Sequence, residues 1–358
     1  MRENDAMLED LRRLVECESP TDDLAACTKV IELASTLSKE QTGDAGEIST
    51  VQGRPVFWLG SKKPEVVLLC HLDTVWPIGS FNPVWKVEGD IVRGPGIYDM
   101  KAGFIQALYS MKVLDRTRVA LIATTDEETG SATTRKLIEE VSKIAKAVLV
   151  LESAIDGKLK VGRKGTSWYH ITIHGRAAHA GLEPEKGVNA TVEVARIVNE
   201  LTKLENKSLG TSVVPTTMTS GTTTNTVPAL ATLDIDSRSF SLDEMQRIDS
   251  AIRSITPIHP DARIEIAGGI NRPPLETSAT LPLYQLAEKL AKDAGISSLG
   301  SASVGGASDG NFAGQFTQVL DGLGAVGDGA HANHEHILAS TLEPRSKLLT
   351  LLVNEILK

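Results

Sequence analysis

The chain has 358 residues, 41% of them hydrophobic and 23% charged, with a formal net charge of -9. This length supports a large core plus a second unit, and an acidic balance without a basic stripe excludes a nucleic-acid binder. No apolar run approaches the roughly 18 residues that would span a bilayer, which excludes a membrane-embedded role.

The first segment, MRENDAMLEDLRRLVE, is charged and reads as a surface helix rather than a signal peptide. The cysteines Cys17, Cys27 and Cys70 are odd in number and form no C-x-x-C pair, which fits buried thiols in a reducing compartment and a cytoplasmic protein. PEVVLLCHLD is an apolar, β-branched strand. A Gly/Pro-rich stretch leads to the helical pattern AGFIQALYSMKVL. RVALIATTDEE reads as a second buried strand, SATTRKLIEEVSKI as a helix and KAVLVLES as a third strand. Buried strands alternating with helices of this length predict βαβ units and a mainly parallel sheet flanked by helices.

From about Lys164 the pattern changes. TSWYHITIHG alternates apolar and polar residues, as a half-buried antiparallel strand does. An amphipathic helix, GVNATVEVARIVNELTKL, follows it, then the strands TSVVPTTMTSG and ATLDIDSRSF, the helix LDEMQRIDSAIRSI and the strand ARIEIAGG. The order βαββαβ is that of a ferredoxin-like α+β domain. Pro273 and Pro274 bar continuation of a strand or helix, after which LPLYQLAEKLAKDAG and TQVLDGLG resume the first pattern. The predicted organisation is an α/β domain over 1–163 and 273–358, interrupted by an inserted α+β domain over 164–272.

Four apolar strands run into metal-capable side chains. They lead to His71 and Asp73, to Asp126, Glu127 and Glu128, to Glu152, and to His331, while Asp99 lies in the loop before a helix. In an open parallel sheet the carboxyl ends of the strands share one edge, where ligands bind. A lone acidic residue at a strand end is more often a cap or a solvated charge, and Asp126 fits a helix cap before SATT. Adjacent Glu127 and Glu128 repel one another unless a cation or proton relieves them. Gly322, Gly324 and Gly327 have G-x-G-x-x-G spacing, but no helix follows to receive a pyrophosphate, so the dinucleotide reading fails.

In order along the chain, HLDTV, GPGIYDMKAG, DEETG, LES and GAHANHEH resemble the metal-site motifs of one zinc metallopeptidase and amidohydrolase family. That family contains glutamate carboxypeptidase, aminoacylase, acetylornithine deacetylase and succinyl-diaminopimelate desuccinylase; HLDTVWPIGSF and GPGIYDMK look most like its glutamate carboxypeptidase branch. The resemblance implies two Zn2+ per chain, with Co2+ or Mn2+ as substitutes. His71 and Glu152 would hold one ion, Glu128 and His331 the other, and Asp99 would bridge them; His334 is the alternative to His331. Asp73 would orient His71, and the Asp99–Met100 peptide would be cis. Glu127 would be the general base toward a water activated between zincs about 3.5–4 Å apart.

The resemblance extends to the inserted domain. HGRAAHAGLEPEKGVNA looks like a dimerisation motif in which His179 reaches the partner subunit's active site and stabilises an oxyanion, and it implies a homodimer formed through this domain. Asn225 and Arg238 would meet the substrate's carbonyl or carboxylate, although Arg238 could equally pair with Asp234 or Asp236. In SVGGASDGNFAG, Gly306 and Ser308 are candidate substrate contacts. The implied function is a carboxypeptidase releasing a C-terminal amino acid such as glutamate from a small peptide or N-acyl amino acid. An N-acyl amino acid deacylase would use the same residues.

Overall fold

Every residue of the strand Val66–His71 is buried, as an uninterrupted apolar run requires when both faces of a sheet are covered. The computed structural model describes residues 3–358, and the first two residues of the predicted N-terminal helix lie outside the described residues. One unit comprises the chain up to Gly162 together with Leu275–Val304 and Ser308–Lys358; the other comprises Arg163–Pro274 and Gly305–Ala307.

In the first unit the chain forms α1 (Glu3–Glu16), α2 (Leu24–Thr42), β1 (Glu47–Val51), β2 (Arg54–Gly60) and β3 (Val66–His71). Next come α3 (Ala102–Met111), β4 (Val119–Thr124), α4 (Arg135–Ser142) and β5 (Ala147–Val150). The second unit supplies β6 (Gly165–His174), α5 (Ala190–Leu201), β7 (Ser212–Ser220), β8 (Leu230–Ser239), α6 (Leu242–Arg253) and β9 (Arg263–Arg272). The chain then returns to the first unit as α7 (Thr277–Leu290), β10 (Gln318–Leu320) and α8 (Leu342–Ile356).

The first unit's sheet has the order β1-β2-β4-β3-β5-β10. Four strands, β4, β3, β5 and β10, run parallel, and β1 and β2 add an antiparallel hairpin at one edge. The sequence reading missed that hairpin. It turns at Gln52 and Gly53, whose φ values of 46° and 91° are the positive values by which a two-residue loop matches the right-handed twist of its flanking strands. Along β3, Val66, Leu68 and Cys70 enter one core, and Val67 and Leu69 enter the core on the opposite face.

The second unit is an antiparallel sheet in the order β7-β8-β6-β9, which is the ferredoxin-like arrangement expected from βαββαβ. Tyr169, Ile171 and Ile173 of β6 pack with Val194 and Ile197 of α5 and Ile248 and Ile252 of α6. The three cysteines are unpaired, with Cys27 and Cys70 buried, and no described helix is long and apolar enough to cross a membrane.

A smaller sheet in the first unit ties loops together. Its strands, in order, are Lys86–Glu88, Ile91–Arg93, His336–Leu338, Val326–Asp328 and Ala154–Ile155. The second of these precedes Asp99, the last follows Glu152, and the two between them flank His331. The glycine-rich run after β10 therefore feeds a strand, Val326–Asp328, and not a helix.

Helix α3 sits close against the end of β5 because Gly103 has no side chain: a Cβ there would lie 2.0 Å from the carbonyl oxygen of Leu151. Gly103→Ala should lower the unfolding free energy by about 1–3 kcal/mol through overpacking, measured as a reduced midpoint in urea.

Candidate metal centre

Three of the candidate ligands stand at or just beyond the carboxyl ends of parallel strands. His71 is the last residue of β3, Glu128 lies four residues after β4, and Glu152 lies two after β5. Asp99 comes from the loop before α3, and His331 from the loop between Val326–Asp328 and His336–Leu338. The Asp99–Met100 peptide is cis.

Two groups of potential ligand atoms converge, His71 with Asp99 and Glu152, and Asp99 with Glu128 and His331; within each group the atoms lie within 4.8 Å of one another. Asp99 belongs to both. Its Oδ1 is 3.5 Å from His71 Nε2, and its Oδ2 is 3.5 Å from His331 Nε2. Glu152 Oε1 lies 3.5 Å from His71 Nε2, and Glu128 Oε2 lies 3.0 Å from His331 Nε2. His71 Nε2, Asp99 Oδ1 and Glu128 Oε1 are buried without a hydrogen-bond partner. Buried polar atoms of this kind are costly unless something compensates them. Imidazole nitrogens and carboxylate oxygens at this spacing fit a pair of divalent cations of the zinc, manganese or cobalt class. His334 is in neither group.

The supporting contacts orient the ligands. His71 Nδ1 lies 3.1 Å from the backbone oxygen of Asp73 and 3.4 Å from its Oδ1, which directs Nε2 toward Asp99 and Glu152. The carboxylate of Asp73 also accepts from Thr21 Oγ1 at 2.8 Å and from the Glu128 amide at 3.2 Å, so one buried side chain ties the β3 and β4 ends together. Asp126 is not the N-cap of the following helix, which begins at Arg135 after Thr134; its carboxylate instead accepts from the amides of Thr133 and Thr134 in the turn that leads into that helix. Glu127 is half-buried in the single 3-10 turn Glu127–Thr129, next to Glu128.

Three further residues, Glu335, Lys160 and Lys101, support the site without having been singled out as site residues in the sequence. Glu335 is 1% exposed, and its carboxylate accepts from Trp76 Nε1 at 2.8 Å and from the amides of Gly96, Tyr98 and Asp99 at 3.0–3.1 Å. It clamps the Asp99 loop to the loop that carries His331. Its spacing from His331 was the only available signal, and that marks register without revealing a contact. Lys160, also buried, has Nζ 3.6 Å from Glu152 Oε2; nothing in KLKVGRK distinguishes it from a surface lysine. Lys101 holds the same Asp99 loop from the other side, donating to the carbonyls of Leu14 and Cys17 at 3.0 Å, and burial pushes its pKa down to about 8.

The electrostatics follow from crowding like charges together. Burial opposes ionisation of Asp99, but the imidazoles of His331 and His71 overcome this and hold its carboxyl below the usual carboxylate range. Glu128 is pushed up to about 8, first by burial and further by Asp99, with His331 pulling the other way. The carboxylates of Asp99 and Glu128 raise His331 to about 10. Burial disfavours charge on His71, yet Asp73, Asp99 and Glu152 raise its pKa well above the ordinary value.

The remaining predicted residues have their own local contacts. Ser308 is fully buried, its hydroxyl donates to Asp321 at 2.6 Å and accepts from the Gly310 amide, and so it braces the turn before Gly310. In the second unit, Gly306 accepts from Arg163 through its carbonyl, and Asn225 is exposed, its carbonyl taking the Ala180 amide. Arg238 makes a two-point ion pair with Asp236 at 2.9 and 3.1 Å, which is the pairing weighed above as its alternative. His179 is exposed, and its Nδ1 accepts from the amides of Gly181 and Leu182, both at 3.1 Å. Those two bonds leave the neutral ring's proton on Nε2.

Residues 161–259 match the family described as peptidase dimerisation domain. Carboxypeptidase G2 from a Pseudomonas species is 29% identical over 96% of this chain and 87% of its own length. Succinyl-diaminopimelate desuccinylase from Halorhodospira halophila is 26% identical over 94% of this chain and 95% of its own. Among solved structures, aminopeptidase PepT from Bacillus cereus aligns over 99% of both chains with a TM-score of 0.79 at 20% identity. An M20 family metallo-carboxypeptidase from Sulfolobus solfataricus aligns over 99% of both chains with a TM-score of 0.68 at 15% identity.

Two predictions follow from this geometry. Below about 8, Glu128 and His331 both hold protons that a cation must displace. Apparent affinity for Zn2+ should therefore rise with pH, by up to tenfold per unit for each proton released, and level off above about 10. Calorimetry in buffers of different ionisation enthalpy reads the proton count, and pH-independent affinity between 6 and 8 would contradict it. Glu335→Gln replaces one accepting oxygen by a donor facing N–H groups, and metal affinity should fall by about 10–100-fold, measured by competition with a chelator.

Proposed function

We propose that this chain, which belongs to the M20 peptidase family and is a metallohydrolase, cleaves an amide bond next to a free carboxylate and releases a C-terminal amino acid such as glutamate. The observation that carries the reading is the placement of Asp99, with one carboxylate oxygen facing each histidine of two ligand sets. His71, Glu152 and Asp99 would hold one Zn2+, and Asp99, Glu128 and His331 the other. Bound cations would polarise the scissile carbonyl and make hydroxide available near neutral pH. The similarity to carboxypeptidase G2 over most of both chains supports the carboxypeptidase form of the reaction. Similarity to the desuccinylase supports a second reading, an N-acyl amino acid deacylase acting through the same residues.

The chain's own groups then have distinct tasks. Asp73 fixes the His71 ring. Glu127, in the same turn as a ligand, takes a proton from water on a carboxylate oxygen and passes it to the departing amine. His179, reaching the active site of the partner subunit, offers Nε2–H as a donor to the oxyanion that develops there, a contribution worth about 2.7–4 kcal/mol for one well-placed donor. Arg238 is assigned the substrate's carboxylate with Asn225 and the Gly306 backbone nearby in role; the two-point geometry with Asp236 is the one such a carboxylate would need. The inserted unit is assigned to homodimer formation, supported by the match over 161–259.

The test is a metal count coupled to hydrolysis of N-acyl-glutamate, N-acetyl and N-succinyl substrates before and after chelation. About two ions per chain with cleavage lost on chelation and regained with Zn2+ is expected for a two-metal site. In the same assay Glu127→Ala should keep its metal and lose about 10²–10⁴ in kcat. Normal turnover in that variant would remove Glu127 from its role, and inactivity of the zinc-restored wild type would sink the hydrolase reading.

A further inference from the structure

Arg54 is the half-buried first residue of β2, in the hairpin at the edge of the parallel sheet. Its Nη1 donates to the carbonyl of Thr21 and, at 3.3 Å, to the carbonyl of Thr125. One guanidinium nitrogen therefore joins the loop between α1 and α2 to the end of β4. Thr21 and Thr125 are both buried, and the buried Cys27 thiol lies 4.0 Å from the same nitrogen. A further bond ties β2 to that strand end, the Thr125 hydroxyl donating to the carbonyl of Pro55 at 2.9 Å.

These contacts close a ring. The Thr21 hydroxyl donates to Asp73 Oδ2 at 2.8 Å, and the same oxygen accepts from the Glu128 amide at 3.2 Å. From Glu128 the chain runs back through Glu127 and Asp126 to Thr125, where it meets Arg54 again. Glu127 thus lies between two fixed points, the Glu128 amide on Asp73 and the Thr125 carbonyl on Arg54. A hydrogen bond from a charged donor is stronger than one between neutral groups, so Arg54 is a firm anchor for this backbone. A general base must stand within hydrogen-bond reach of the proton it takes, and a small displacement costs turnover.

We propose that Arg54 is a positioning residue for Glu127, holding the end of β4 so that this carboxylate meets the water it deprotonates. The proposal rests on the hydrolase reading above and deepens it. The task of the edge hairpin is then to deliver one guanidinium to the back of the site.

The experiment uses the full chain loaded with Zn2+ and whichever N-acylated glutamate the wild type cleaves best. Arg54→Met should lower kcat by about 10–100-fold, with KM within about threefold of wild type and the metal count unchanged. Arg54→Lys, which restores a charged donor, should recover part of the loss. The deciding measurement is a double-mutant cycle with Glu127→Ala. Without that carboxylate there is nothing left to position, so Arg54→Met should cost less than about twofold in the Glu127→Ala background. An equal loss in both backgrounds, wild-type kcat in Arg54→Met, or a loss explained by departed metal would overturn the proposal while the hydrolase reading stands. Should Arg54→Met fail to fold, the cycle is run with Arg54→Lys, and a loss that vanishes with Glu127→Ala supports the proposal while one that persists overturns it. Failure of the metal-loaded wild type to cleave any such substrate would overturn the hydrolase reading itself and this proposal with it.

Discussion

Asp99, Glu128 and Glu152 are held close together with side chains no more than 15% exposed. Like charges this near in a poorly solvated interior repel strongly, and each also resists losing its water. Most of the first unit can be understood as the scaffold that enforces this arrangement. The parallel strands β3, β4 and β5 deliver three of the groups to one edge, and burial of those strands on both faces fixes their register. Protonation of His71 and His331 offsets part of the repulsion, and a divalent cation would offset it more completely while also using the buried lone pairs.

The scaffold works through backbone as much as through side chains. Asp99 is positioned by a loop whose amides converge on Glu335, and that loop is anchored from the opposite side by Lys101. The small five-stranded sheet draws together the segments around Asp99, Glu152 and His331, which are far apart in sequence. His331 itself has a φ of 61°, a conformation that non-glycine residues seldom adopt. Such a conformation persists where the surroundings over-determine it, and here the neighbouring Ala332 and Glu335 amides close local turns around it.

Much of this was legible in the residues. VVLLCHLD and VALIATTDEE announce buried strands ending in candidate ligands, and the switch to TSWYHITIHG announces a different sheet. The hairpin of β1 and β2 was missed because EISTV is exposed or half-exposed and lacks clean alternation, while Gln52-Gly53 is not among the strongest turn pairs. Ser308 looked like a ligand contact because glycine-rich loops often line pockets, but its hydroxyl faces a buried carboxylate that lies 13 residues further on. Arg238 shows the general limit: the sequence contains both possible partners, Asp234 and Asp236, and only the folded strand shows that the guanidinium pairs with Asp236, two residues away on the same face. Lys160 could not be recognised at all, and Glu335 only as a register mark four residues after His331, since burial of a charged group depends on neighbours brought in from distant segments.

The placement of the inserted unit also orders events during synthesis. The chain leaves the first unit at Gly162 and re-enters it at Leu275, and β10 closes against β5 by pairing Gln318–Leu320 with Ala147–Leu149. Emerging from a ribosome, β3, β4 and β5 are available long before their last neighbour. The whole second unit is translated in the interval and has its own core with which to fold. His331 and Glu335 follow β10 in the chain, so until they emerge the nascent chain carries the three carboxylates without their final imidazole or their clamp. The long loop closures needed to bring the C-terminal segment home make this the kinetically demanding stage of folding. The candidate metal centre is therefore complete only once the segment that carries His331 and Glu335 has docked.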